Sequence, residues 1–324
     1  MKNLYIIGNG FDCHHGIYSS YKAYREWLKE NNSELYEKLS DFYATEDDEW
    51  WWQFELNLGE INLTDYISLT SLENQPDLTS EEFRSRDYNA GSYQAENDIG
   101  GLVSDIKGTF KKWIESLSQA NTDKKIELIH DDCFFINFNY THTLQQLYGI
   151  PDSQILHIHG DIGEEELILG HNKTYEELHA MAEGIQPEPP EDLSEDELAE
   201  WYQDNGDDYI TQTVRDTAVN NIFGIRKDVE NIINNNHLHF SSMKDIEHIY
   251  IYGFSFSPVD IPYIDEILRY IDKNKVQWTI SYFSKDDIDK IESYMNSKDI
   301  PSTLWQPLIR LEDIQVLKQL KIFK

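Results

Sequence analysis

The sequence predicts an α/β protein, a Rossmann-like and mostly parallel sheet carrying helical insertions. The first observation is the apolar run Leu4-Tyr5-Ile6-Ile7 opening into Gly8-Asn9-Gly10, which reads as a buried parallel strand turning sharply into a helix. The second is the return of short apolar runs at 133–138, 155–159, 248–252 and 276–283, with segments of helical periodicity among them. The third is the gathering of polar residues at the carboxyl ends of these runs, the edge at which an open parallel sheet binds ligands.

A chain of 324 residues accommodates one large domain with insertions, and we read 1–324 as a single unit. Its 60 acidic side chains against 27 basic ones give a net charge of −33. Such a surface repels a DNA or RNA backbone and an anionic membrane, so neither is expected as the bulk partner. Cys13 and Cys133 are too few for a disulfide scaffold or a zinc ribbon. The apolar run after Lys2 is too short for a signal sequence and no later run reaches membrane-spanning length, so a cytoplasmic, reduced protein is expected.

Along the chain, Ser19 or Ser20 caps a helix in which Tyr21, Tyr24, Trp27 and Leu28 recur at helical spacing. Residues of about 31–125 read as a helical insertion, because Leu35, Leu39, Phe54, Leu58 and the series from Ile99 to Leu117 fall at three- and four-residue intervals. Within it, 73–98 is polar and predicts a mobile loop. Trp50, Trp51 and Trp52 cannot all face inward from one helix, so at least one meets a partner element, a second subunit or a ligand.

Strand character returns at 133–138, followed by Asn139-Tyr140-Thr141, and again at 155–159, where alternation places His157 and His159 on one face. The run 167–171 is a candidate further strand. About 172–245 reads as a second, acidic insertion. Its centre, 183–209, carries Pro187, Pro189 and Pro190 and a capping box of Ser194 with Glu197, and serves as a lid, a docking segment or a solvated loop. Helices at about 211–220 and 225–235 lead to the strand 248–252, whose turn holds Gly253, Ser255 and Asp260. A helix at about 261–272, a strand at 276–283 and a helix at 286–296 complete the pattern.

Taken in order, Ile-Ile-Gly-Asn-Gly-Phe-Asp at 6–12, Phe-Asn-Tyr-Thr at 138–141, His-Ile-His-Gly at 157–160, Leu-Ile-Leu-Gly-His at 167–171 and Tyr-Gly-x-Ser at 252–255 resemble the AbiH family of bacterial abortive-infection proteins. The resemblance spans the chain to about residue 285. That family in turn resembles sirtuin-like enzymes, which implies a sirtuin-like topology and NAD as substrate. By position, Gly8, Asn9, Gly10, Phe11 and Asp12 match the pyrophosphate turn, Asn139 the residue that positions ribose and water, His159 the catalytic histidine, and Gly253 with Ser255 the adenosine turn. Thr141 stands where sirtuins usually carry Asp, and it and Asp260 are placed in the same pocket. His14, His15 and His171 either line that pocket or make local polar contacts, and His157 receives no role. Without a four-cysteine module, the resemblance implies a stand-alone hydrolase rather than a peptide deacylase.

Cleaving the nicotinamide–ribose bond requires a stabilised oxocarbenium-like ribose and a placed water. His159 is the expected proton acceptor, Asn139 the expected water-orienting group and Phe11 the expected cover over the nicotinamide. This chemistry requires no metal, and none is expected. The expected function is an antiphage NAD hydrolase held inactive until infection, and its alternative is a catalytically silent nucleotide-binding sensor. The expected partners are NAD or a related nucleotide, together with a second copy of the chain or a second defence protein.

Overall fold

A computed structural model describes residues 1–129, 131–183, 190, 194, 197, 201 and 208–314. Five parallel strands form its sheet: β1 (Asn3–Ile7), β2 (Cys133–Asn137), β3 (Ile155–His157), β4 (His248–Tyr252) and β5 (Gln277–Ile280), in the order β3-β2-β1-β4-β5. The chain builds outward from β1 to β3, then crosses to the other side of β1 for β4 and β5. This is a Rossmann-like order, and the reversal of direction lies between β1 and β4.

Both faces of the sheet are covered, which explains why the strands read as nearly continuous apolar runs. On one face Leu4, Ile6, Ile136, Ile249, Ile251 and Ile280 pack with Phe240, Tyr263, Ile264 and Ile291 from helices. On the other, Tyr5 stacks on Phe135 at 4.7 Å and on Tyr250 at 4.5 Å, beside Phe11, Leu144 and Tyr148.

A third apolar core lies in a helical cap. Helices Tyr21–Asn31, Ser33–Phe42, Thr64–Glu73 and Gly101–Ser116 bury Tyr24, Leu39, Ile67 and Phe110 together with Leu178, Val214 and Ile222 from helices Tyr175–Glu183 and Tyr209–Phe223. Two insertions far apart in sequence therefore share one core. Ser20 caps the helix Tyr21–Asn31, its side chain accepting from the Ala23 N–H. Trp51 is fully buried and stacked on Phe54, Trp50 packs edge-on to it, and Trp52 stands 65% exposed.

Several expectations are corrected. The run 167–171 forms no strand; His171 makes an isolated bridge to Arg226, and Gly170 lies so close to Ile225 that a Cβ would sit 1.5 Å from its carbonyl oxygen. The strand expected over 155–159 ends at His157, because Gly160 turns the chain with φ +80°. The loop expected over 73–98 is helical from Ala90 onward, where Gly91 and Ala95 are the small buried residues of a contact with Val214 and Ile210. Most of the acidic stretch 183–209 lies outside the described residues, although Ser194 and Glu197 do exchange the two capping-box hydrogen bonds. Among the described residues no helix is long and apolar enough to cross a membrane.

Candidate functional site

The turns leaving β1 and β4 meet backbone to backbone. Gly10 donates its N–H to the Gly253 carbonyl at 2.8 Å, and a Cβ on Gly8 would lie 2.5 Å from the same oxygen. Gly253 itself has φ +66°, and a Cβ there would lie 2.0 Å from the Phe11 nitrogen. These three glycines therefore let the two turns close on each other at the switch point, the position at which a pyrophosphate was expected.

The opening lies beside that contact, over the carboxyl ends of β1 and β2. Asn9, Asp12, Ser19, Asn139 and Thr141 form its polar wall, and Tyr21, Phe110, Trp113, Ile114, Phe138 and Tyr140 form its apolar one. The cavity measures about 40 Å³, room for water, whereas small-molecule sites occupy roughly 300–1,000 Å³. Its roof consists of the helices Tyr21–Asn31 and Gly101–Ser116, and closed in this way it is too small for a nucleotide.

Asp12 is the chemical centre of this cavity. Thr141 Oγ1 donates to its Oδ2 and itself lies 3.1 Å from the Thr143 hydroxyl, and Oδ1 is buried with no partner. Burial pushes the Asp12 carboxyl up to about 6 despite the Thr141 donor. Asn139 donates from Nδ2 to the Gly8 carbonyl at 3.1 Å, and Ser19 donates to Asn9.

A second polar centre is wholly buried behind the cavity. Lys227 Nζ lies 2.9 Å from Glu55 and 3.1 Å from Asp260, and His159 Nε2 lies 3.3 Å from the Tyr263 hydroxyl and 3.7 Å from Asp260. Burial opposes the charge on Lys227, but Asp260 and Glu55 outweigh it and keep the ammonium protonated. Burial raises the Glu55 carboxyl against the pull of Lys227, with Asp260 adding to the rise. Burial, and then the Lys227 charge, hold His159 well below the ordinary imidazole value, so it is neutral at neutral pH. Tyr21 connects the two centres: it lines the cavity, and burial and then the nearby Glu55 charge raise its hydroxyl well above the ordinary value.

The expected site residues thus divide into groups. Asn9, Asp12, Asn139 and Thr141 share the cavity, while His159 and Asp260 belong to the buried cluster and do not line it. The rings of Phe138 and Tyr140 flank His159. Phe11 is corrected from a cover over substrate to a core residue packed against His15 and Tyr148. His15 is fully buried, bonded to the Phe11 carbonyl and the Tyr148 hydroxyl at 2.7 Å each, and burial lowers its pKa to about 4. Ser255 is exposed and away from the cavity. Glu55, Lys227 and Tyr263 were not singled out from the sequence; Glu55 lies 172 positions from Lys227, and no local pattern marks the pair.

A larger open groove of about 970 Å³ runs between the helices Val229–Asn235 and Ile261–Leu268. Arg226, Arg269 and Lys298 along it are paired with Asp228, Glu266 and Asp265, which leaves these cations committed to neighbours. One cluster with metal-ligand spacing lies near the cavity, where His142, His157 and Asp161 bring ligand atoms within 4.8 Å of one another.

Residues 4–282 match the family model described as Bacteriophage abortive infection AbiH. No curated protein and no solved structure matches the chain.

Proposed function

Because the chain belongs to the AbiH family, whose description is bacteriophage abortive infection, we propose that it defends against phage by hydrolysing NAD to ADP-ribose and nicotinamide once its cap opens. The observation that carries this reading is Asp12, a buried carboxyl with an unpartnered oxygen at the cavity, held near 6. Ionised, that oxygen faces a developing oxocarbenium ion or takes a proton from the attacking water. Asn139 spends Nδ2 on the Gly8 carbonyl, which leaves its Oδ1 to accept from a ribose hydroxyl or that water. The proton-transfer role expected of His159 therefore passes to Asp12. His159, neutral and enclosed, positions Tyr263 and Asp260 instead.

The closed cavity fits a protein kept silent in the uninfected cell. It equally favours a second reading, a nucleotide sensor that binds without turnover and signals by moving its cap. Purified protein incubated with NAD, with nicotinamide release followed by chromatography, separates the two. The hydrolase reading expects release by the wild type or by the cap-loosening variant Glu55→Gln, and at least a 100-fold loss on Asp12→Asn, the usual scale for an acid–base group. Nucleotide binding without release by any of the three supports the sensor.

A further inference from the structure

The loop after β2 and the turn after β3 bring together side chains that neither proposed chemistry uses. His142 Nε2 lies 3.2 Å from Asp161 Oδ1, and His157, at the end of β3, completes a set whose ligand atoms fall within 4.8 Å. In a tetrahedral zinc site with bonds of roughly 2.0–2.1 Å, neighbouring ligand atoms sit about 3.3 Å apart. His142 and Asp161 already hold that separation.

The surroundings fit the same geometry. His157 Nδ1 lies 3.1 Å from the Asn139 carbonyl and 3.4 Å from Asn137 Nδ2; the shorter contact, to an oxygen that can only accept, assigns the proton to Nδ1 and a lone pair to Nε2. Gln145 Nε2 donates to that lone pair at 2.9 Å, while its Oε1 is buried with no hydrogen-bond partner. That oxygen supplies an acceptor for a metal-bound water. The Gly163 N–H donates to Asp161 Oδ1 at 2.6 Å and orients the carboxylate. His142 occupies the N-cap position of the helix Thr143–Tyr148 without capping it, its side chain turned to Asp161 instead. His142 and Asp161 remain 30% and 25% exposed, so the ion has access to solvent.

We infer that His142, His157 and Asp161 bind a divalent transition-metal ion of the Zn²⁺ class, with a water in the fourth position. Two imidazoles and one carboxylate suit zinc over the hard cations, which take oxygen ligands. Binding displaces the Gln145 amide from His157 and draws the imidazole toward the other two ligands. Because His157 holds the Asn139 carbonyl and His142 follows Thr141, the ion stiffens the loop that forms one wall of the cavity. This departs from the sequence expectation of no metal, since the ligands come from separate segments with no spacing motif.

The test is titration of chelator-stripped, full-length protein with Zn²⁺ by calorimetry, with Mg²⁺ as the hard-cation comparison. One Zn²⁺ per chain is expected, at least tenfold tighter than Mg²⁺. His142→Ala and Asp161→Asn each weaken Zn²⁺ at least tenfold, and His237→Ala on the exposed surface leaves it unchanged. Imidazole NMR on the unsubstituted protein gives a readout independent of variant folding: Zn²⁺ shifts the rings of His142 and His157. Absence of Zn²⁺ binding, shifts confined to other histidines, or unchanged binding in the folded variants overturns the inference.

Discussion

Lys227 lies 2.9 Å from Glu55, and that contact ties the helical cap to the sheet through a fully buried ammonium. Glu55 belongs to the cap segment, while Asp260, the second partner at 3.1 Å, lies just before the helix Ile261–Leu268 that packs on the sheet. Removing one partner of a buried ion pair is costly because the remaining charges lose both solvent and counter-ion. Lys227→Met, which strands two carboxylates, is expected to cost about 3–5 kcal/mol in urea unfolding near neutral pH. Glu55→Gln keeps the Asp260 pair and is expected to cost less. Equal stability of Lys227→Met and the wild type contradicts the assignment.

The contact between the two glycine turns gives a sharper steric prediction. Gly253→Ala meets φ +66° and a Phe11 nitrogen 2.0 Å from the new Cβ. The left-handed backbone costs about 1–2 kcal/mol, and displacing the neighbouring turn adds about 1–3 kcal/mol. Gly108→Ala is its control, since nothing lies within 4 Å of that Cβ. In the exposed interior of the helix Gly101–Ser116 it is expected to stabilise by about 1 kcal/mol, the ordinary helix preference. Thermal melts of the two variants should move in opposite directions.

Asp12 gives the stability curve a particular sign. Its folded pKa of about 6 stands above the ordinary 3.8, so its contribution is fully present below pH 3.8 and is lost as pH rises through 6. The loss amounts to about 3 kcal/mol at neutral pH, on the order of 1.4 kcal/mol per unit of pKa. His15 runs the other way: depressed from 6.5 to about 4, it contributes above pH 6.5 and loses that contribution as pH falls through 4. Asp12→Asn is therefore expected to be more stable than the wild type at pH 7.5, with the difference shrinking toward pH 4. A variant less stable at pH 7.5 contradicts a strained, partly desolvated carboxylate.

The sheet was legible because its signals are local. β1, β2, β4 and β5 each show an apolar run with a polar tail, and Ser20, Tyr24 and Leu28 mark their helix by spacing alone. The helix from Ala90 was hidden because polar residues cover its outer side and its contact surface consists of Gly91 and Ala95, which carry little apolar signal. For the site, sequence position brought Asn9, Asp12, Asn139 and Thr141 to one cavity but could not reveal the reach of Phe138 and Tyr140, whose rings enclose His159. Lys227 and Glu55 were invisible for a different reason. Their pairing is made by two insertions packing into a shared core, and no short-range pattern encodes that.

A crystal structure with ADP-ribose tests most directly whether the cavity walled by Asp12 and Asn139 receives a nucleotide when the cap lifts. The ribose is expected next to Asp12 and Asn139, with the helices Tyr21–Asn31 and Gly101–Ser116 displaced outward from their present position. Ligand bound in the groove between Val229–Asn235 and Ile261–Leu268, with the cavity still closed over Asp12, would contradict that placement.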